Sequence, residues 1–424
     1  MELLLRLYGD PVTEEILGEE ATIGEWLHVE ATLAGALADS GVITADDASA
    51  IAAACTIKNI DTTRLWEQTR IVGYPILPLI KMICEHLPPR PAGFVHWGAT
   101  TQDIMDTALG LQVSKTLTRL EELVTTFGDE LAARTKTHAM TVMPGRTHGQ
   151  QAVPTTFGAK CAVFLDQAGR DRRRLRRAKT EIAVVSLFGG GGTSAAMGKV
   201  ATQVRSALAR RLALRDSIVP WHVARDTVTE TGQVAALAAG TAVRFAREIA
   251  DLARTEIGEV AEADGEYRGA SSTMPQKANP ILAEAIIGLG VSAGQMSGAL
   301  LRSLEAGHER ATGEWQVEWQ ALPYVLRCAA GAVGLAGQLT KGLRVDADRM
   351  RRNLALDHGL IMAEAHMARL ATAIGRDRAH AAVYQKARRA RVTGEPLDGI
   401  APEDYTGSAA AICTASLERW KETA

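Results

Sequence analysis

The chain of 424 residues is 46% hydrophobic and 23% charged, with 47 basic against 49 acidic side chains and a formal net charge of -2. That length supports two or three domains whose cores need no disulfide staples, and the near-neutral balance argues against a polyanion or an acidic membrane as the main partner. Only 4% of residues are aromatic, and five scattered cysteines without a C-x-x-C pair fit the free thiols of a cytoplasmic protein better than a secreted framework or a zinc site.

In chain order, apolar residues recur at three and four spacing through residues 15–37, 103–131, 157–180, 223–260, 281–304, 321–343 and 360–373, which predicts helices. Several of these exceed the usual ~8–20 residues of a globular helix and lack strict heptads. The expected fold is therefore all-α: long helices in a bundle that buries more than one face, within an oligomer. Breaks rich in Gly and Pro fall at 87–93, 143–149, 188–192, 219–221, 265–280 and 395–405. They suggest an N-terminal helical domain over 1–107, a central long-helix bundle over 108–343 and a small helical C-terminal domain over 344–424. The chain does not open on a charged and then apolar leader, and no apolar run approaches the ~18 residues of a membrane span, so neither export nor membrane insertion is expected. The basic run at 170–179 (R-D-R-R-R-L-R-R-A-K) has no interleaved aromatic residue to stack a base. It reads as a solvated helix face whose Arg stems lie over a neighbouring helix, so no nucleic-acid partner is expected.

Two nucleotide motifs and a metal motif fail. The glycines at 189–192 follow an apolar run, but Gly192 sits one residue too early for a P-loop ending at Gly198 and Lys199, and Val200 replaces the hydroxyl residue. A dinucleotide fingerprint lacks its third glycine in register. His308 and Glu309 lack the second histidine of a zinc helix, and no other His/Cys cluster has ligand spacing, so neither metal nor organic cofactor is expected.

Three polar segments remain, each at a break between helices: H-W-G-A-T-T-Q-D at 96–103, G-R-T-H-G-Q-Q at 145–151 and G-A-S-S-T-M-P-Q-K-A-N-P at 269–280. Each alone reads equally well as a capping and turn segment. Together they supply hydroxyls (Thr100, Thr101, Thr147, Ser271, Ser272), amides (Gln102, Gln150, Asn279), cations (Arg146, Lys277) and imidazoles (His96, His148). That set suits a small anion: donors for carboxylate oxygens and an imidazole for proton transfer. The helix start at Pro280 is expected to offer further backbone N–H groups to negative charge.

The segment S-S-T-M-P-Q-K-A-N-P resembles the signature loop of the fumarase/aspartase superfamily, which includes the argininosuccinate and adenylosuccinate lyases. G-R-T-H-G-Q and H-W-G-A-T-T-Q-D-I-M-D-T resemble its other two blocks, in the right order, and the similarity runs from about residue 15 to 380. The resemblance implies a homotetramer with a central bundle of long helices flanked by two small helical domains, each active site being assembled from three subunits. It implies anti β-elimination, or the reverse addition, on a substituted succinate: a proton leaves the carbon beside a carboxylate, then the β-substituent departs. On the matching positions, Ser271 is the base, Lys277 and the loop N–H groups stabilise its alkoxide, and His148 serves the leaving group with Glu284 behind it. Thr100, Thr101, Thr147, Gln150 and Asn279 hold substrate carboxylates, and His96, Gln102, Arg146, Ser272 and Met274 complete the binding set.

Within the superfamily, H-W-G-A-T-x-Q-D, P-W-H at 220–222 and H-E-R-A-T-G-x-W-Q-x-E-W at 308–319 most resemble the 3-carboxy-cis,cis-muconate cycloisomerases. Arg310, Trp315 and Gln316 would then face the leaving group. Adenylosuccinate lyases share the His-Glu-Arg triplet but follow it with serines and an arginine for a phosphate, where this chain has Gly313, Trp315, Gln316 and Trp319. The chain departs from the cycloisomerases at Gln276 and Ala278, where they have His and Arg. A compact di- or tricarboxylate is the expected substrate, with a C–N lyase acting on amino- or nitrosuccinate as the alternative. A silent, crystallin-like structural relative is the outside alternative, and the presence of Ser271, His148, Lys277, Asn279 and Glu284 argues against it.

Overall fold

The computed structural model describes residues 3–397 and 399–423. Helices dominate, and the longest are Thr101–Thr137, Glu314–Gly342, Asp226–Leu252 and Phe157–Ile182. The periodic segments read from the sequence lie within or overlap helices; 321–343 extends back to Glu314, and 15–37 falls mainly in Glu19–Asp39. Among the described residues there are also three two-stranded sheets. Val142–Thr147 pairs antiparallel with Gln150–Thr156, Val184–Val185 parallel with Arg215–Asp216, and Val260–Ala261 antiparallel with Arg344–Val345. The strands of the last two sheets are too short to show a period of two, and in the longer hairpin strands Pro144, Gly145 and Pro154 read as breakers, which is why the sequence reading passes over them.

The chain divides into two compact units. The first comprises Met1–Glu121, Arg174–Leu237 and Ser292–Ala330. Its core joins Ile23, Leu27, Leu33 and Leu37 of the Glu19–Asp39 helix to Ile51, Leu65, Leu79 and Ile83, and then to Val204 and Leu208 from far along the chain. Local chemistry starts and stops these helices. Thr44 and Asp47 form a reciprocal capping box, Asp61 caps Thr62–Val72, and left-handed Gly73 ends that helix. At the foot of the Thr101–Thr137 helix, Asp103 is fully buried and gathers three loops. It accepts from the N–H groups of Thr100, Phe188 and Gly189, from Ser186 Oγ, and lies 2.8 Å from His222 Nε2. The glycine-rich stretch at 189–192 is thus seated by a carboxylate rather than by a bound phosphate.

The second unit comprises Glu122–Arg173, Ala238–Val291 and Gly331–Ala424. Phe127 and Phe164 pack edge-on against Phe245 at 5.4 and 5.3 Å between centroids. Arg172, from the basic run, is buried with its guanidinium 4.0 Å over the Trp420 ring and donates to Trp420 O and Thr423 Oγ1. In the rest of the run, Arg170 pairs with Asp166, Arg176 and Lys179 with Glu121, and Arg177 with Glu230. The run is a helix face with most of its charges partnered. Contrary to the sequence expectation, one segment, Ile281–Glu305, is long and apolar enough by composition to cross a membrane, with mean hydropathy 1.2 over 18 residues and 44% of that window buried.

Candidate active site

The block at 145–151 is the turn of the hairpin, whose strands β1 (Val142–Thr147) and β2 (Gln150–Thr156) end on the partners Thr147 and Gln150. His148 and Gly149 between them both have left-handed backbones, φ 51° and 75°, the twist a two-residue hairpin loop demands. Glycine adopts it freely, whereas for a residue with a Cβ it is uncommon. Thr147, His148 and Gln150 are exposed. Arg146 is not a free cation. Its two outer nitrogens donate to Glu259 at 2.9 and 2.5 Å, and Glu259, wholly buried, also accepts from Asn353 Nδ2 at 2.8 Å. Arg146 thereby fastens the hairpin below His148.

The loop at 269–280 is pinched at its base. Asn279 N and Nδ2 both donate to Gly269 O, at 2.8 and 3.0 Å, and Ala270 bridges Ala278. Gly269 has φ 65°, and a Cβ on it would stand 2.5 Å from Asn279 O, so the pinch requires glycine. Inside the loop, Ser271 Oγ accepts from the N–H groups of Thr273 at 3.3 Å and Met274 at 3.1 Å. Two backbone dipoles aimed at one hydroxyl oxygen favour its anionic form. Lys277 N closes a turn on Met274 O at 3.1 Å, and the side chains of Ser272, Met274 and Lys277 are exposed.

The helix start after Pro280 departs from the expectation. The N–H groups of Leu282 and Ala283 donate to the carboxylate of Glu262 at 3.0–3.2 Å, so they are not offered to a ligand. Pro280 has no capping side chain, and a carboxylate from the Val260–Ala261 strand region takes that role. Glu284 is exposed on the first turn of Ile281–Leu300. Among the described residues of the single chain, no hydrogen bond joins Glu284 to His148, or either to Ser271.

The segments at 96–103 and 308–319 belong to the first unit. Thr100 and Thr101 are half-buried at the helix start, and Gln102 is fully buried. Gln102 Nε2 donates to Asp106 at 3.1 Å and to His222 O at 2.9 Å, while its Oε1 accepts from Arg310 at 2.6 Å. Arg310 also donates to Gly190 O at 3.2 Å. Gln102 therefore orients Arg310 instead of facing solvent itself. Behind it, Arg225 is buried between Asp106 and Glu318, making two hydrogen bonds to each and one to Trp221 O. Burial alone would weaken the Arg225 charge, but the two carboxylates more than restore it and raise its proton affinity. Burial, with Asp106 close by, moves Glu318 upward against the pull of Arg225. His96, with φ 62°, places Nδ1 2.6 Å from Glu30 Oε1.

Trp315 is only 4% exposed: it stacks on Tyr74 at 6.0 Å and meets Trp319 edge-on at 4.9 Å. Gln316 Nε2 reaches the Tyr74 hydroxyl at 3.5 Å. Of the two tryptophans, Trp319, 38% exposed, has more surface to offer a ligand.

A family model described as lyase matches residues 10–294. A 3-carboxy-cis,cis-muconate cycloisomerase of Pseudomonas aeruginosa is 38% identical over 93% of this chain and 86% of its own. The trans-aconitate decarboxylase 1 of Mycosarcoma maydis is 34% identical over 94% of this chain and 81% of its own. The crystal structure of the 3-carboxy-cis,cis-muconate lactonizing enzyme from Pseudomonas putida superposes with a TM-score of 0.94 at 33% identity, covering 100% of both chains. The chain belongs to the fumarase/aspartase superfamily. It is a lyase or cycloisomerase with the all-α fold of that superfamily.

Sequence reasoning missed the supporting carboxylates of this lyase: Glu30, Asp103, Asp106, Glu259, Glu262 and Glu318. Asp103 and Asp106 had a signal, since Asp103 closes the first block and Asp106 follows it by three residues. Glu318 stands within the 308–319 motif, whereas Glu30 and Glu259 sit in helical or loop stretches without one, and only their partners mark them.

Proposed function

We propose that this enzyme catalyses β-elimination, or the reverse addition, on a compact di- or tricarboxylate of the 3-carboxymuconate type. Ser271 takes the proton beside a carboxylate, with the N–H groups of Thr273 and Met274 and the cation of Lys277 offsetting the charge on its oxygen. The pair of N–H groups on Ser271 Oγ is the observation that carries this reading, because an unaided serine hydroxyl is too weak an acid to serve as a base. His148, at the tip of the hairpin, attends the leaving group, and Glu284 fixes its tautomer. Thr100, Thr101, Thr147, Gln150 and Asn279 hold carboxylates, with Ser272 and Met274 beside them on the loop. In one chain His148 and Glu284 lie apart from Ser271 as far as hydrogen bonds go, which supports sites completed by neighbouring subunits of a cytoplasmic homotetramer. The enzyme needs neither metal nor organic cofactor for this chemistry, since its own dipoles and cations stabilise the charge that develops.

Arg310 is the only cation in the 308–319 segment and is engaged with Gln102 and Gly190. A nucleotide phosphate finds no free clamp there, which favours a small leaving group. The uncharged Ala278 beside Lys277 supports a second reading, a C–N lyase acting on amino- or nitrosuccinate. An ultraviolet absorbance assay separates the two: loss of 3-carboxymuconate against fumarate release from aspartate, nitrosuccinate, argininosuccinate and adenylosuccinate. Turnover of a compact carboxylate is the expected outcome, and efficient cleavage of adenylosuccinate overturns the proposal.

A further inference from the structure

Glu30 lies in the Glu19–Asp39 helix with its side chain wholly removed from solvent. Its Oε1 is 2.6 Å from Nδ1 of His96, and its Oε2 is buried without a hydrogen-bond partner. Among the described residues, His96 is the only group that offers this carboxylate a hydrogen bond or an ion pair. A buried carboxylate with a single partner is tolerated best when that partner carries the opposite charge. His96 is held there by a left-handed backbone that histidine seldom adopts, and Gly98 shares it at φ 76°. The other ring nitrogen, Nε2, makes no hydrogen bond and keeps access to solvent. The candidate cations Arg146 and Arg310 are spent on protein acceptors, so His96 is one of the few donors left for a polycarboxylate.

We propose that Glu30 is a positioning residue: it grips Nδ1–H of His96 and presents the ring's Nε2–H, as an imidazolium, to a carboxylate of the substrate. The inference rests on the proposed role of the 96–103 segment in substrate binding. The groups facing the pair are Asp103, from the adjoining helix, and the thiols of Cys55 and Cys84. Burial disfavours the charged ring, but Glu30, by charge and hydrogen bond, and Asp103 outweigh it, and the balance is upward. Burial pushes the Cys55 thiol up to about 12 and raises Cys84, with Glu30 adding to both, so both stay neutral near pH 7.

The test is calorimetric binding of tricarballylate and succinate to the intact enzyme across the neutral pH range, for wild type, Glu30→Gln and His96→Asn. Wild-type affinity should fall only above the ordinary histidine value of ~6.5. In Glu30→Gln that fall should move to lower pH, weakening binding about tenfold on the alkaline side and less than about threefold on the acid side. His96→Asn should abolish the pH dependence. A Glu30→Gln profile that coincides with wild type, or is weakened equally at every pH, overturns the inference, as does wild-type enzyme that binds neither probe. If circular dichroism shows Glu30→Gln unfolded, Glu30→Asp, which keeps the charge at shorter reach, should retain the limb at lower affinity, and a lost limb there overturns it. An enzyme that shows the shifted limb but turns over nothing in the absorbance panel would instead count against the elimination chemistry alone.

Discussion

Arg146→Met separates a structural from a substrate-binding role for a cation that the sequence places in the site. The substitution takes two charge-assisted hydrogen bonds from Glu259 and leaves that carboxylate only the Asn353 amide. A buried charge stripped of its partner costs about 3–5 kcal/mol. Because the Arg146 side chain is 17% exposed, water can enter, and the lower end, about 3 kcal/mol, is expected. Glu259→Leu should cost less, since the freed guanidinium can turn toward that water, and the double substitution should recover at least about 1.5 kcal/mol of the summed losses. Urea unfolding at one fixed protein concentration measures stability, and steady-state kinetics on the substrate found in the panel measures function. With the hairpin loosened below His148, kcat should fall more than KM rises. A stability loss below about 1 kcal/mol, or an effect confined to KM, would refute the reasoning and return Arg146 to the substrate.

Trp315→Ala should destabilise by about 3–5 kcal/mol and half-exposed Trp319→Ala by clearly less; equal shifts in an unfolding titration would contradict the burial difference. Ser271→Ala should lose several orders of magnitude in kcat with unchanged circular dichroism, and mixing it with His148→Ala subunits should restore part of the activity; no recovery in verified mixed tetramers would remove the shared site. Asp10 caps Thr13 and binds Arg119; burial pushes its carboxyl up, but those hydrogen bonds outweigh it and hold it below the ordinary range. Its stabilisation is therefore fully present above its unfolded value of about 4 and lost as pH falls through the lower folded value, so Asp10→Asn should weaken the fold at neutral pH and converge with wild type in acid, as followed by thermal unfolding. Ala278→Arg should shift preference toward a substrate with one more carboxylate by roughly tenfold to a hundredfold in kcat/KM, the worth of a charge-assisted hydrogen bond; an unchanged ratio would place Ala278 outside the pocket.

Helices and breaks were legible in the sequence because both are local. A 3.6-residue period marks the face that each helix buries, and Gly, Pro and capping residues mark where it stops. The turn around His148 was legible for the same reason, since Gly149 supplies the second left-handed residue of a two-residue loop. The loop around Ser271 could be read from its motif, but not that Thr273 and Met274 aim their N–H groups at its oxygen. Only the tertiary structure decided which charges neutralise one another. Glu30 and His96 are 66 residues apart, Arg146 and Glu259 113, and Arg225 lies 93 from Glu318 and 119 from Asp106. The same holds for Trp315, read as a pocket wall, which the fold buries against Tyr74. A residue type states which bonds a side chain can make, whereas packing between distant segments decides which of them it makes, and that is why Arg146 and Gln102, grouped by residue type with the ligand contacts, bond to Glu259 and Arg310 within the chain.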